Sequence, residues 1–83
     1  MPARKTLTIS YYAAFHDAAG VREESWTTGA ATASELYDEV AARHGFRFDR
    51  TVLKVALNDC VVPWETAVRS GDTVVFLAPF AGG

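Results

Sequence analysis

The sequence predicts an α+β domain in which a mixed sheet of four to five strands packs against one main helix. Three observations lead there. The stretches Leu7 to Ala14 and Thr73 to Ala78 are strand-like. Thr32 to His44 carries a capped, 3.6-residue apolar repeat. Glycine and Asn-Asp turns separate these segments. At 83 residues the chain is a single domain, of a size that buries about 60–65% of its unfolded surface. Its 49% hydrophobic and 22% charged residues are the composition of a folded globular protein.

The first strand is predicted over Leu7 to Ala14, where Leu7, Ile9, Tyr11 and Ala13 alternate with Thr8, Ser10 and Tyr12. His16-Asp17-Ala18-Ala19-Gly20 breaks the pattern, with Gly20 supplying a turn. Val21 to Thr28 then returns as a second strand, and Arg22, Glu23 and Glu24 mark it as an edge. Thr32 and Glu35 have the form of a capping box, in which the threonine oxygen accepts a first-turn N–H and the glutamate reaches back to the cap. Ala33, Leu36, Tyr37, Val40 and Ala41 form one apolar face, and Gly45 follows His44 as the C-terminal cap of a helix from Ala33 to His44.

Phe46 and Phe48 are expected to close the core beyond the helix. Val52 to Leu57 reads as a strand with Leu53, Val55 and Leu57 on one face. Asn58-Asp59 is a hairpin turn, because both residues tolerate positive φ, and Cys60 to Val62 is the partner strand, ending at Pro63. Trp64 to Ser70 is irregular or a single helical turn, and Ser70-Gly71-Asp72 turns the chain into the last strand. There Val74, Phe76 and Ala78 face one way and Val75 and Leu77 the other, so both faces are covered or one is left for a partner. If the first and last strands are central neighbours, the helix crossover makes them parallel, and the arrangement is a β-grasp.

Composition excludes several function classes. The net charge is −2, and the eight basic residues are dispersed, which argues against nucleic acid as a partner. No stretch is long and apolar enough to span a membrane, so no membrane partner is expected and a cytoplasmic location is. A single cysteine, Cys60, fits a reducing compartment, and its apolar neighbours Val61 and Val62 suggest a packed, unreactive thiol. His16 and His44 stand isolated, and no set of side chains has metal-ligand spacing.

The remaining feature is the end, Pro79-Phe80-Ala81-Gly82-Gly83, which follows a hydrophobic strand directly. Such an end is either a frayed terminus or an arm that carries a bare carboxylate at a fixed place. The four residues beyond Pro79 extend at most ~13–14 Å, enough to enter another protein's active site.

Several stretches together resemble the ubiquitin-like sulfur carriers of the MoaD/ThiS family, the group that includes the small subunits of molybdopterin synthase. They are Tyr11-Tyr12-Ala13 at the end of the first strand, Gly20, the helix Thr32 to His44, Ala56-Leu57-Asn58, Ser70-Gly71-Asp72-Thr73-Val74, and Phe76 to Gly83 against the family's Phe-x-Pro-Pro-x-x-Gly-Gly ending. The chain departs from the pattern at His16-Asp17, where Arg-Glu is usual, at Ala78 for the first proline, and at Ala81 for Ser or Thr. An Ala-Gly-Gly ending also occurs in the thiamine-pathway carrier.

The resemblance implies that Gly83 is adenylated by a ubiquitin-activating-type adenylyltransferase using ATP, with no cofactor bound by this chain itself. Gly83 then becomes a thiocarboxylate with sulfur from a persulfide-bearing donor enzyme. It implies a molybdopterin synthase large subunit as partner, in a heterotetramer that supplies the catalytic groups, and the sulfur passes to the molybdopterin dithiolene. Other acceptors are thiamine precursors or another metabolite, or lysines of proteins joined through Gly83. Gly82 and Ala81 would thread the tail, and Phe80, Pro79 and Phe76 are the expected partner contacts.

Overall fold

A computed structural model describes residues 4–78. Five strands, β1 (Lys5–Ser10), β2 (Glu23–Thr28), β3 (Lys54–Leu57), β4 (Cys60–Val62) and β5 (Thr73–Leu77), form one sheet in the order β2-β1-β5-β3-β4. β1 and β5 are parallel central neighbours, and every other pair is antiparallel. Helix α2 (Ala33–His44) covers one face, buried through Ala33, Leu36, Tyr37 and Val40. This is the β-grasp arrangement with β2 at the edge, as its charges predict.

The first strand stops sooner than its alternation suggests. β1 ends at Ser10, Tyr12 is still extended, and Ala13–Ala19 forms a short helix, α1, closed by Gly20 at φ 80°. Four alanines favour helix there, and the helix seats Phe15, 1% exposed, beneath the end of the sheet. Gly20 is thus a helix cap rather than a hairpin residue.

The cap of α2 also differs in one bond. Thr32 Oγ1 accepts from the Glu35 N–H at 3.2 Å, but Glu35 Oε1 reaches past the cap to the Ala31 N–H at 2.8 Å. Thr32 instead sits in an isolated bridge with Ala67. Gly45 caps the other end at φ 70°.

Asn58 and Asp59 take φ 52° and 72°, the two-residue turn their types allow. Residues Arg50–Val52 form a 3₁₀ turn, so β3 starts at Lys54 rather than Val52. Asp49 accounts for this, because its Oδ1 accepts from both the N–H and the hydroxyl of Thr51. Asn58 then ties the hairpin to β5. Its N–H donates to the Thr73 carbonyl at 2.8 Å, and its Oδ1 accepts from the Thr73 N–H at 2.9 Å.

The core lies between α2 and the sheet, and Phe46, Phe48 and Trp64 are partly buried against it. No helix among the described residues is long and apolar enough to cross a membrane.

Candidate functional site

Gly83, Gly82, Ala81, Phe80 and Pro79, to which the sequence assigns the acyl chemistry, the threading and most of the partner contact, lie outside the described residues. The structure places the root from which they continue. β5 is laddered on both sides, parallel to β1 from Thr73 to Val75 and antiparallel to β3 from Val74 to Leu77. Ala78, just past it, is half-buried against the core.

Phe76 is a core residue, 1% exposed, and cannot meet a partner as proposed from the sequence. Alternation along β5 turns Val74 and Phe76 toward α2, where Phe76 packs on Tyr37 at 5.0 Å between ring centroids, Phe15 at 6.0 Å and Trp64 at 6.2 Å. An aromatic pair at such distances adds about 0.5–1.5 kcal/mol beyond area burial. The strand is therefore held from beneath at the end from which the tail departs.

The residues that do face outward come from the opposite parity. Register aligns Val61, Ala56, Val75, Ser10 and Glu23 in one row across all five strands, with Ala56 and Ser10 buried between their neighbours, and Leu77 beside Lys54 in the next. Val61 is 62% exposed and Leu77 37%. Tyr12, two residues past Ser10 and 61% exposed, stands at the same end of the sheet. Tyr12, Leu77, Val75 and Val61 thus give the uncovered face an apolar strip that reaches the tail root. The sequence reading leaves open which face of β5 is covered, and the strip's outlying members, Tyr12 and Val61, are legible only once the register is known.

Cys60 corrects another expectation. It is exposed, because β4 is a three-residue edge strand and its first residue lies at the hairpin tip. Among the described residues no group of three or more His, Cys, Asp or Glu side chains could hold a metal ion.

His44 is not isolated either. Its Nε2 lies 2.5 Å from Glu24 Oε2, and the same oxygen accepts from the Tyr11 hydroxyl at 2.6 Å. Three rings surround the imidazole, those of Tyr11, Phe46 and Trp26, with centroids at 5.5, 5.6 and 6.3 Å. Burial acts to raise the Glu24 carboxyl, but the hydrogen bonds from Tyr11 and His44, with the charges of His44 and Arg43, outweigh it and hold the pKa below its ordinary value. Burial, and then the Glu24 carboxylate, push the Tyr11 hydroxyl up. A second carboxylate fastens the same helix: Glu39 Oε1 accepts from Trp26 Nε1 at 3.1 Å and Thr28 Oγ1 at 2.7 Å. The hydrogen-bonded pairs at the two carboxylates join residues 11 to 20 positions apart, so no local spacing reveals them.

A central strand rooted in aromatic packing, an uncovered sheet face and a Gly-Gly terminus now stand together. The model of the ThiS family matches residues 9–83, from within β1 to the last glycine. The chain belongs to the ThiS family. Within this family of ubiquitin-like sulfur carriers, it is 28% identical over 80 residues to the molybdopterin synthase sulfur carrier subunit of Haemophilus influenzae, covering 93% of this chain and 99% of that one. A solved structure from Pyrococcus furiosus, assigned as a molybdopterin converting factor subunit 1, superposes with a TM-score of 0.76 at 27% identity, over 90% of this chain and 98% of the other. SAMP1 from Haloferax volcanii superposes with a TM-score of 0.73 at 21% identity, over 94% and 99% of the two chains, a likeness of fold.

Proposed function

We propose that this ThiS-family chain is the small, sulfur-carrying subunit of a molybdopterin synthase, working in the cytoplasm, with Gly83 as the atom-bearing residue. The supporting observation is its match, over 93% of this chain and 99% of the other, to the Haemophilus influenzae carrier subunit. A free carboxylate is a poor acyl donor. Transfer of AMP from ATP to Gly83, on an adenylyltransferase, supplies a leaving group that a donor's persulfide sulfur displaces. A second enzyme thiol then attacks the donor-side sulfur of the acyl disulfide so formed, making a disulfide and releasing the thiocarboxylate. The resulting thiocarboxylate carries the sulfur to the large subunit, which contributes the catalytic groups and the molybdopterin precursor.

In this reading the scaffold positions and the tail reacts. Val75, Leu77, Val61 and Tyr12 dock the partners, because an apolar strip beside the tail root aligns the arm as the surfaces meet. Gly82 lacks a side chain so that the arm passes a narrow channel.

Incubation of the full chain with the adenylyltransferase, ATP and a persulfide donor, then with a synthase large subunit and its precursor, tests the proposal. The expected result is an oxygen-to-sulfur mass change on Gly83 that disappears as the dithiolene forms. Thiocarboxylate that is consumed only by a thiamine-forming enzyme, or Gly83 found joined to lysines of other proteins, would overturn the assignment to molybdopterin synthase.

A further inference from the structure

The two edges of the sheet are built differently. β4 is three residues long and runs into Pro63, which has no N–H, so shortness and proline both guard that edge. β2 is six residues long and holds neither proline nor lysine. On β1, the Thr8 N–H donates to the Asp72 carbonyl and the Thr6 carbonyl accepts from the Gly71 N–H, whereas the Tyr11 N–H donates to the Arg22 carbonyl. Carried along the antiparallel register, this alternation turns the N–H and C=O of Glu24 and Trp26 toward β1 and those of Glu23, Ser25 and Thr27 outward. None of these outward groups has a hydrogen-bond partner among the described residues.

A groove runs beside this edge, with Ser25, Trp26 and Thr27 on one wall and Glu39, Ala42 and Arg43 of α2 on the other. Arg43 lies over the Trp26 ring, 4.8 Å from its centroid, and makes no hydrogen bond or ion pair among the described residues. The carboxylates of Glu24 and Glu39 are committed elsewhere, Glu24 Oε2 to Tyr11 and His44 and Glu39 Oε1 to Trp26 and Thr28. The groove thus offers backbone pairing along one wall and an unpaired cation on the other.

We propose that the β2 edge takes an extended acidic peptide of another protein as an added strand, with a carboxylate of that peptide on Arg43. A strand meets outward donors and acceptors that alternate at this spacing, and the guanidinium selects an Asp or Glu side chain turned toward α2. A second copy of this chain suits the edge less well. Pairing β2 with itself about a two-fold centres on Ser25 and brings two Arg43 cations, each stacked on the adjoining Trp26, toward one another. Tyr12, Val75, Leu77 and Val61 lie outside the groove, so the peptide leaves the open-face strip free.

The test is a titration of the full chain with a short synthetic peptide of alternating Val and Thr that carries one central Asp, followed by amide NMR. The amides of Glu23, Ser25 and Thr27 should shift downfield and exchange more slowly, while those of Val75 and Leu77 stay in place. Two further probes, N-methylated at alternate positions so that each blocks one edge of the peptide, should differ in affinity at least ~10-fold. Replacing the peptide's Asp by Asn should weaken binding roughly 3- to 5-fold, Arg43→Gln should do the same, and the two changes together should cost no more than either alone. The Asn probe leaves the protein untouched, so the charge contact is tested even if Arg43→Gln disturbs the fold. No shift at the three β2 amides, shifts centred on Val75 and Leu77, or affinity indifferent to N-methylation would overturn the proposal. Concentration-dependent shifts of the β2 amides without peptide would overturn it too, by assigning the edge to a second copy.

Discussion

Removing the Glu24 carboxylate should loosen the joint where β1, β2 and α2 meet. Glu24 Oε2 receives the Tyr11 hydroxyl at 2.6 Å and pairs with His44 Nε2 at 2.5 Å, with the Glu24 side chain 23% and the His44 side chain 15% exposed. Hydrogen bonds to charged groups contribute about 1.5–3 kcal/mol each, and partial exposure places these two near the lower end. Glu24→Ala also strands the Tyr11 hydroxyl in a residue that is 2% exposed, so the expected loss is about 3 kcal/mol. In a domain of this size that lowers Tm by roughly 12–24 °C, at 4–8 °C per kcal/mol.

Glu24→Gln keeps the shape and one acceptor and should cost about half as much. Urea unfolding of the variants, with Trp26 fluorescence as reporter, measures both. The Tyr11→Phe, Glu24→Ala cycle should show a coupling of about 1–2 kcal/mol. A loss below about 0.5 kcal/mol for Glu24→Ala, or strict additivity in the cycle, would refute the reasoning.

The same joint sets a pH dependence. The folded Glu24 pKa lies below its ordinary value, so its contribution is present above the unfolded carboxylate pKa and is lost as pH falls through the folded value. Wild type should therefore lose more stability than Glu24→Gln on acidification through the carboxylate range, as equilibrium unfolding against pH would show. Tyr37 presents the reverse case, since its hydroxyl is buried with no partner among the described residues. Tyr37→Phe should be neutral or stabilising by up to about 1 kcal/mol, and a clear destabilisation in thermal melts would contradict this. Thr32→Ala removes the α2 cap and should cost about 1 kcal/mol by the same melts. On the open face, Leu77→Asp should leave the unfolding free energy within about 0.5 kcal/mol of wild type and weaken partner binding at least ~10-fold by calorimetry, since anchors of apolar strips contribute ~1–2 kcal/mol or more. Gly82→Ala should retain the fold, seen by circular dichroism, yet impair adenylation, seen as slower pyrophosphate release.

Most of the scaffold was legible because its signals are local. The Thr32 cap, the stripe from Ala33 to Ala41, Gly45, the Asn58-Asp59 turn and the alternation of Val74 and Phe76 each act within a few residues. Helix α1 was hidden because Tyr11 and Tyr12 continue the alternation of β1 and the helix spans only seven residues, held by Phe15 against a core that assembles later in the chain. The two carboxylate joints and the exposure of Cys60 were hidden for a related reason: both depend on which strands become neighbours or edges. Phe76 shows the converse error. An aromatic residue near the tail suggested an anchor, but its parity on β5 sends it to the core and leaves Leu77 outside.

Intact mass of the full chain after incubation with adenylyltransferase, ATP and a persulfide donor tests the carrier role most directly. A carrier gains the mass of one oxygen-to-sulfur exchange, mapped to Gly83, while its scaffold stays folded. A properly folded chain whose Gly83 takes up neither AMP nor sulfur would contradict it.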